Sequence, residues 1–243
     1  MYAMADAMSP QGSDTAKGLM HFARAKIVHT QDAVDWIAIH GANCFGVDKE
    51  TFTDRLAWVE ENSDRICATA VDPWADTWWI DADEPICFLA FCDEWNRWKA
   101  LGFGFETRFA IQVDGSNNGC QHYSAILRDP VGAAATNLIS NAEDKPADIY
   151  LQVADRVNAK IRQLAALDDE LAQQWCDVGV TRKTCKRPVM IVPYAGTLRS
   201  CTAYIEEHVH ELADAGYALP WRLSGDRVKA ARNLAPIVWD AIS

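Results

Sequence analysis

A helix-rich α+β fold is what this sequence predicts, and three observations carry the prediction. Apolar residues recur at three- and four-residue steps, most clearly Ile149, Val153, Val157, Ile161 and Leu164. Hydrophobic residues make up 49% of the 243 residues, enough for one sizeable core, or for one domain and part of another. Strand signals are scarce: Arg108 to Val113 alternates loosely and ends at Asp114.

Taken in order, Thr51 to Ala70 reads as one helix. Thr51 and Asp54 are spaced for a capping box, and Phe52, Leu56, Val59 and Ile66 form its apolar stripe. Pro85 to Trp95 (PICFLAFCDEW) is dense enough in apolar residues to be a buried helix. Arg108 to Val113 is the strand, Gly115 to Gly119 a turn, and Gln121 to Asp129 opens a helix. Pro146 is expected to start the next helix, since proline is tolerated in a first turn. Arg182 to Ile191 is helical, and Pro193 ends or kinks it just before Tyr194. Ser200 to Ala215 is another helix, with Gly216 as its stop.

Composition narrows the function classes. No apolar run approaches the roughly 18 residues of a membrane span, and the N-terminus lacks a signal-peptide layout. The eight cysteines show no C-x-x-C pair and no zinc spacing with histidine, so they read as reduced, buried thiols in a cytosol. The net charge of −11 argues against a free-standing nucleic-acid binder. The charge is unevenly spread, however. Between Thr181 and Arg199 lie five basic residues (Arg182, Lys183, Lys186, Arg187, Arg199) and no acid.

Two constellations could carry chemistry. DGSNNGCQHYSAILRD, Asp114 to Asp129, places an acid at a strand end before Gly-Ser. Such a carboxylate suits a divalent ion, and glycine lets a backbone carbonyl approach the same ion; magnesium takes one or two carboxylates plus waters and phosphates. The plainer reading is an aspartate that only caps a turn. In the second, Arg182, Lys186, Met190 and Tyr194 are spaced by four and form one drifting helical stripe. Two cations, a thioether and a ring suit a nucleotide, with arginine gripping phosphate as a fork and lysine as a point charge. The plainer reading is a solvated basic face. His40 and Cys44 share helical spacing without a third ligand, and His122 is expected to order the turn after Asp114. Trp74, Trp78, Trp79, Trp95 and Trp98 read as packing residues rather than base-stacking platforms.

Together the two stretches resemble motifs A and B of the single-subunit RNA polymerases of T-odd phages and mitochondria. Motif B is RKTCKRPVMIVPYAGT, Arg182 to Thr197. SPQGSDTAKG (Ser9 to Gly18), IHGANCFGVDK (Ile39 to Lys49), TWWIDADEPICFLAFCDEW (Thr77 to Trp95) and DIYLQVADRV (Asp148 to Val157) resemble further segments in the family's order. The resemblance implies an incomplete right-hand polymerase: residues 1–142 as the N-terminal part of the palm with motif A, and 143–243 as the start of the fingers with motif B. Asp114 would then be one of two metal-binding catalytic aspartates, with the Gly115 carbonyl beside it and Mg2+ as the ion. Lys49, Arg182, Lys186 and, more weakly, Arg187 would contact the incoming triphosphate. Tyr194 would sit at its base and ribose, Tyr150 near its sugar, and Gly119 would leave room for a 2′-hydroxyl.

The resemblance also implies DNA template, nascent RNA and NTPs as partners, a monomeric full enzyme without membrane attachment, and a cytoplasmic location, the host's if the source is viral. Ala195 and Gly196 follow Tyr194 where many members have glycine directly. The family's second catalytic aspartate lies in a His-Asp-Ser motif, and no His-Asp pair occurs in this chain. The expectation is therefore a polymerase segment inactive by itself. A related DNA polymerase and a non-catalytic remnant remain as alternatives.

Overall fold

The computed structural model describes residues 9–140 and 143–242, and the chain divides into two compact units. The first runs to Asp114 and takes in residues 143–145; the second holds 115–142 and the rest from Pro146. The boundary expected at 142 falls on residues 141–142, outside the described ones.

The first unit contains α1 (Asp14–Gly18), β1 (Lys26–Ile27), α2 (Gln31–Phe45), α3 (Phe52–Glu61), α4 (Ser63–Val71), α5 (Pro85–Leu101) and β2 (Glu106–Thr107). The strands pair antiparallel, Lys26 with Thr107 and Ile27 with Glu106. Thr30 starts α2 by accepting the Ala33 N–H, and Gly46 stops it at φ +111°, where a side chain would be strained. α5 begins at Pro85, and the Asp14 carboxylate accepts the Ile86 and Cys87 N–H groups. Its Phe88 and Phe91 are fully buried with Val59 and Ile66. Gly41 makes this packing possible: a Cβ there would lie 2.4 Å from the Phe91 ring.

The expected helix from Thr51 to Ala70 is two helices, broken at Asn62. There the side-chain amide donates to the Trp58 carbonyl at 2.8 Å, the local competition that makes asparagine a poor helix interior. Only half of the capping box forms. Thr51 Oγ1 accepts the Asp54 N–H and donates to Asp54 Oδ2, so Asp54 meets the threonine side chain instead of its backbone. The buried helix expected from Pro85 to Trp95 continues to Leu101. Arg108 to Val113 is not a strand. A strand exists through its partner's hydrogen bonds, and among the described residues no ladder reaches this stretch beyond Phe22 N to Arg108 O.

The second unit contains α6 (Asn118–Leu127), α7 (Pro130–Ala135), α8 (Ile149–Ala165), α9 (Glu170–Val178), α10 (Arg182–Ile191), α11 (Leu198–Asp214) and α12 (Ser224–Ile242). Val157, Ile161, Trp175, Val189, Ile205 and Leu234 lie at its core. Trp175 packs on Trp221 at 4.4 Å and donates to the Ala230 carbonyl. α6 starts three residues before the expected Gln121, because Asn117 caps it through Cys120 N–H. Pro146 does not start α8. Asp148 does, its carboxylate accepting the Tyr150 and Leu151 N–H groups, a role proline cannot fill. α11 likewise starts earlier than expected, at Leu198 behind a Thr197 cap, and Gly216 follows at φ +83°.

All eight cysteines are free thiols, but not all are buried: Cys176 is exposed and Cys67 and Cys120 are half-buried. Trp78, Trp79 and Trp95 pack as expected, while Trp74 is exposed. No helix among the described residues is long and apolar enough to cross a membrane.

Candidate active site

Lys49 and Asp114 belong to the first unit. Lys49 rides on the loop between α2 and α3, and buried Arg55 fixes that loop. The guanidinium donates to the Asp48 and Glu50 carbonyls at 2.8 Å and to Asn43 Oδ1 at 2.9 Å. Burial lowers the Arg55 pKa, with Asp48 and Glu50 opposing. The Lys49 ammonium itself pairs with neighbouring Asp48. Asp114 is exposed, and Val113 before it is 92% exposed, so the expected strand end is corrected to an open stretch outside any strand.

The second unit carries the remaining candidates. Gly115 to Asn117 form a tight turn in which Asn117 N–H donates to the Gly115 carbonyl at 2.9 Å, and Asn117 is left-handed at φ +74°. A Cβ at 115 would lie 1.8 Å from Asn118 Oδ1, so any larger residue there would require the Asn118 side chain to swing away. A carboxylate and a backbone carbonyl are oxygen donors of the class magnesium takes, which usually binds one or two carboxylates plus waters and phosphates. No group of three or more His, Cys, Asp or Glu placed to hold a metal occurs among the described residues.

Gly119 and Tyr194 are brought together. A Cβ on Gly119 would lie 2.5 Å from Pro193 Cβ and 3.3 Å from Tyr194 Cζ. Pro193 therefore packs close against Gly119 on that side. α10 ends at Ile191, and Tyr194 closes a 3-10 turn, Val192–Tyr194, with its ring largely exposed. His122 is exposed; Gln121 does the ordering expected of it, donating to the Thr136 carbonyl at 2.7 Å.

The start of α10 is held firmly. Asn158 on α8 grips both backbone groups of Val180, and Thr181 and Thr184 form a complete capping box. Arg182, Lys186, Arg187 and Met190 then line an open groove of about 1040 Å3, faced by Tyr204 and Glu211 of α11. The stripe read from sequence is real as far as Met190; Tyr194, past the helix end, does not line the groove.

Most of the cations are already paired. Arg182 Nε meets Asp148 Oδ2 at 2.5 Å, with its guanidinium 5.0 Å from the buried Tyr150 ring. Arg187 pairs with Glu207 at 2.6 Å, and Lys183 with Glu211 at 3.4 Å. The Glu207 hydrogen bond raises the Arg187 pKa, and Lys183 with His208 lowers that of Glu211. Burial pushes the His208 imidazole down, partly offset by Glu211. Lys186 is exposed and makes no ion pair among the described residues. Sequence reasoning missed Asp148, Glu207 and Glu211 as partners of the basic face. The sequence reading started that helix at Pro146 and so passed over Asp148, and nothing local signals a pairing across 24 residues between Arg187 and Glu211.

Comparison with known proteins bears on this arrangement. A family model described as DNA-dependent RNA polymerase matches residues 28–243. The DNA-directed RNA polymerase of Enterobacteria phage K11 is 38% identical over 97% of this chain and 28% of its own length. T7 RNA polymerase of Escherichia phage T7 is 34% identical over 97% of this chain and 29% of its own length. The mitochondrial DNA-directed RNA polymerase of Homo sapiens is 37% identical over 88% of this chain and 17% of its own length. The chain thus spans less than a third of the length of these relatives, yet nearly all of it is matched. It belongs to the family of DNA-dependent RNA polymerases that phages and mitochondria share.

Proposed function

We propose that this chain is a working segment of a template-directed RNA polymerase, with residues 1–142 as part of the palm and 143–243 as the start of the fingers. The reaction is in-line attack of an RNA 3′-hydroxyl on the α-phosphate of an NTP, with pyrophosphate leaving. DNA template, nascent RNA and NTPs are its partners, in a monomeric enzyme acting in a cytoplasm. The observation that carries this reading is the face of α10, where exposed Lys186, without an ion pair among the described residues, lies beside Arg182, Arg187 and Met190 in an open groove.

In this reading Arg182 keeps its terminal N–H groups for phosphate oxygens while Asp148 occupies its Nε. Lys186 supplies a mobile point charge to the triphosphate, with Arg187 and, from the palm, Lys49 adding to the positive field. Tyr194 meets base and ribose. Its contact with the Gly119 helix end sets how much sugar the site admits, and Tyr150 holds the Arg182 plane from behind. Asp114 and the Gly115 carbonyl would hold a magnesium ion, which when bound supplies charge stabilisation to the phosphoryl oxygens.

The test is transcription by a polymerase assembled around this segment. Lys186→Ala should lower the rate about 10²–10³-fold, as loss of an aimed charge at a developing anion does. Arg182→Lys should also lose activity, because the fork is gone. Wild-type kcat and KM for NTPs in Lys186→Ala would reduce α10 to a solvated face.

A further inference from the structure

Asn137 follows α7 in a left-handed conformation, φ +58°, which asparagine adopts more readily than most residues. Its side-chain amide is fully committed. Nδ2 donates to Ser116 Oγ and to the Ala147 carbonyl, each at 2.8 Å, and Oδ1 accepts the Ala147 N–H at 2.8 Å. One amide therefore grips both backbone groups of residue 147 and, with its other N–H, the turn that carries Gly115. From behind, Gln121 bonds the Thr136 carbonyl, and the buried Thr136 hydroxyl bonds the Gly132 carbonyl at 2.7 Å.

The residue after Ala147 is Asp148, which works at both of its oxygens. Oδ1 caps α8 through Tyr150 and Leu151 N–H, and Oδ2 takes Arg182 Nε. A continuous path thus runs from Ser116 through Asn137 and the 147–148 backbone to the Arg182 guanidinium. Residues 116, 137, 147 and 182 are far apart in sequence, so no local turn or helix could set this spacing. We infer that Asn137 is a positioning residue that couples the turn after Asp114 to the orientation of Arg182, an inference that rests on the proposed role of Arg182 at the triphosphate. Arg182 has a planar fork, and its remaining donors point usefully only while Asp148 holds Nε.

The experiment uses the 15N-labelled 243-residue chain and reads solvent exchange of the Arg182 Nε–H, identified by its loss in Arg182→Lys. Inorganic tripolyphosphate is titrated alongside. Asn137→Gly removes the amide while glycine accepts the left-handed backbone at no steric cost. The Arg182 Nε–H should then exchange about tenfold faster, and tripolyphosphate should bind about three- to tenfold more weakly, the size expected for a displaced charged hydrogen bond. Ser116→Ala, which cuts the turn end of the path but leaves the grip on Ala147, should quicken Arg182 exchange by about two- to threefold, and the wild-type rate there overturns the coupling to the turn. A cooperatively folded Asn137→Gly chain with wild-type Arg182 exchange overturns the inference. Should that variant fail to melt cooperatively, Asn137→Asp keeps the acceptor and loses both donors. Exchange about threefold faster then supports the coupling, and the wild-type rate overturns it. Absence of tripolyphosphate binding in wild type would sink the nucleotide reading instead, while the exchange rates still decide the coupling.

Discussion

His40 lies buried on α2, its Nε2 3.6 Å from Cys44 Sγ and its ring 5.4 Å from Phe109. Burial pushes its pKa down to about 4, with Glu84 opposing and Lys17 assisting. The folded value lies below the unfolded one near 6.5, so the stability is present above that value and is lost as pH falls toward 4. Between about pH 7 and 5 this single group should cost roughly 2 kcal/mol. Urea midpoints of wild type and His40→Gln at both pH values check it: the variant should lose less on acidification, and equal losses would show that His40 does not titrate on unfolding. Gly119 gives a second residue-scale prediction. Gly119→Ala places a methyl 2.5 Å from Pro193, so it should destabilise the chain by about 1–3 kcal/mol. A melting temperature equal to wild type would show that Pro193 moves aside freely. In the sequence Gly119 read as leaving room for a 2′-hydroxyl, and the close approach of Pro193 was not legible, because Pro193 lies 74 positions further along the chain.

At the scale of elements, α10 is where local rules and tertiary structure agree best. Thr181 and Thr184 satisfy each other's backbone N–H groups, so Thr181→Ala should cost about 1 kcal/mol. Amide exchange at Thr184, whose N–H the cap accepts, should quicken in step, and unchanged protection there would mean that the Asn158 grip on Val180 already holds the helix start. The helices were legible wherever a 3.6-residue stripe runs without a competing side chain, as over Ile149 to Leu164. The reading failed at Asn62, where a side-chain amide competes for a carbonyl, and at Pro146, where the cap two residues later decides the start. It failed most at Arg108 to Val113. Alternation marks a stretch that could serve as a strand, but a ladder needs a second strand, and one sequence segment cannot supply that information. The basic stripe was legible because its cations are neighbours on one helix; its acidic partners on α11 were not, because they arrive through packing alone.

At the scale of the whole molecule, each unit has its own buried cluster, one around Phe88 and Phe91 and one around Trp175, Ile205 and Leu234. Apolar surface outside these cores should govern how the isolated chain behaves. Ile126 and Leu127 on α6 are 76% and 71% exposed, and Val131 at the start of α7 is 69% exposed. Tyr123, also exposed, lies three and four residues before Ile126 and Leu127, so the three share a helix face. A contiguous apolar face of a few hundred Å2 drives association in water. Opposing it is a net charge of −11, which keeps copies apart at low ionic strength. Salt should tip the balance. At about 0.05 M the charge still repels, whereas at about 0.5 M the screening length shrinks to a few ångströms and only the apolar attraction remains. The 243-residue chain should therefore bind a hydrophobic dye in its folded state and sediment increasingly as oligomers as salt rises. Ile126→Lys combined with Leu127→Glu adds no net charge and removes the two most exposed side chains of the face. It should lower dye binding by about half or more without shifting the melting temperature, since exposed positions contribute little to the folded core. A wild-type chain that stays monomeric at high salt and binds no dye would show that this face is too small or too divided to matter, as would a double variant that associates like wild type.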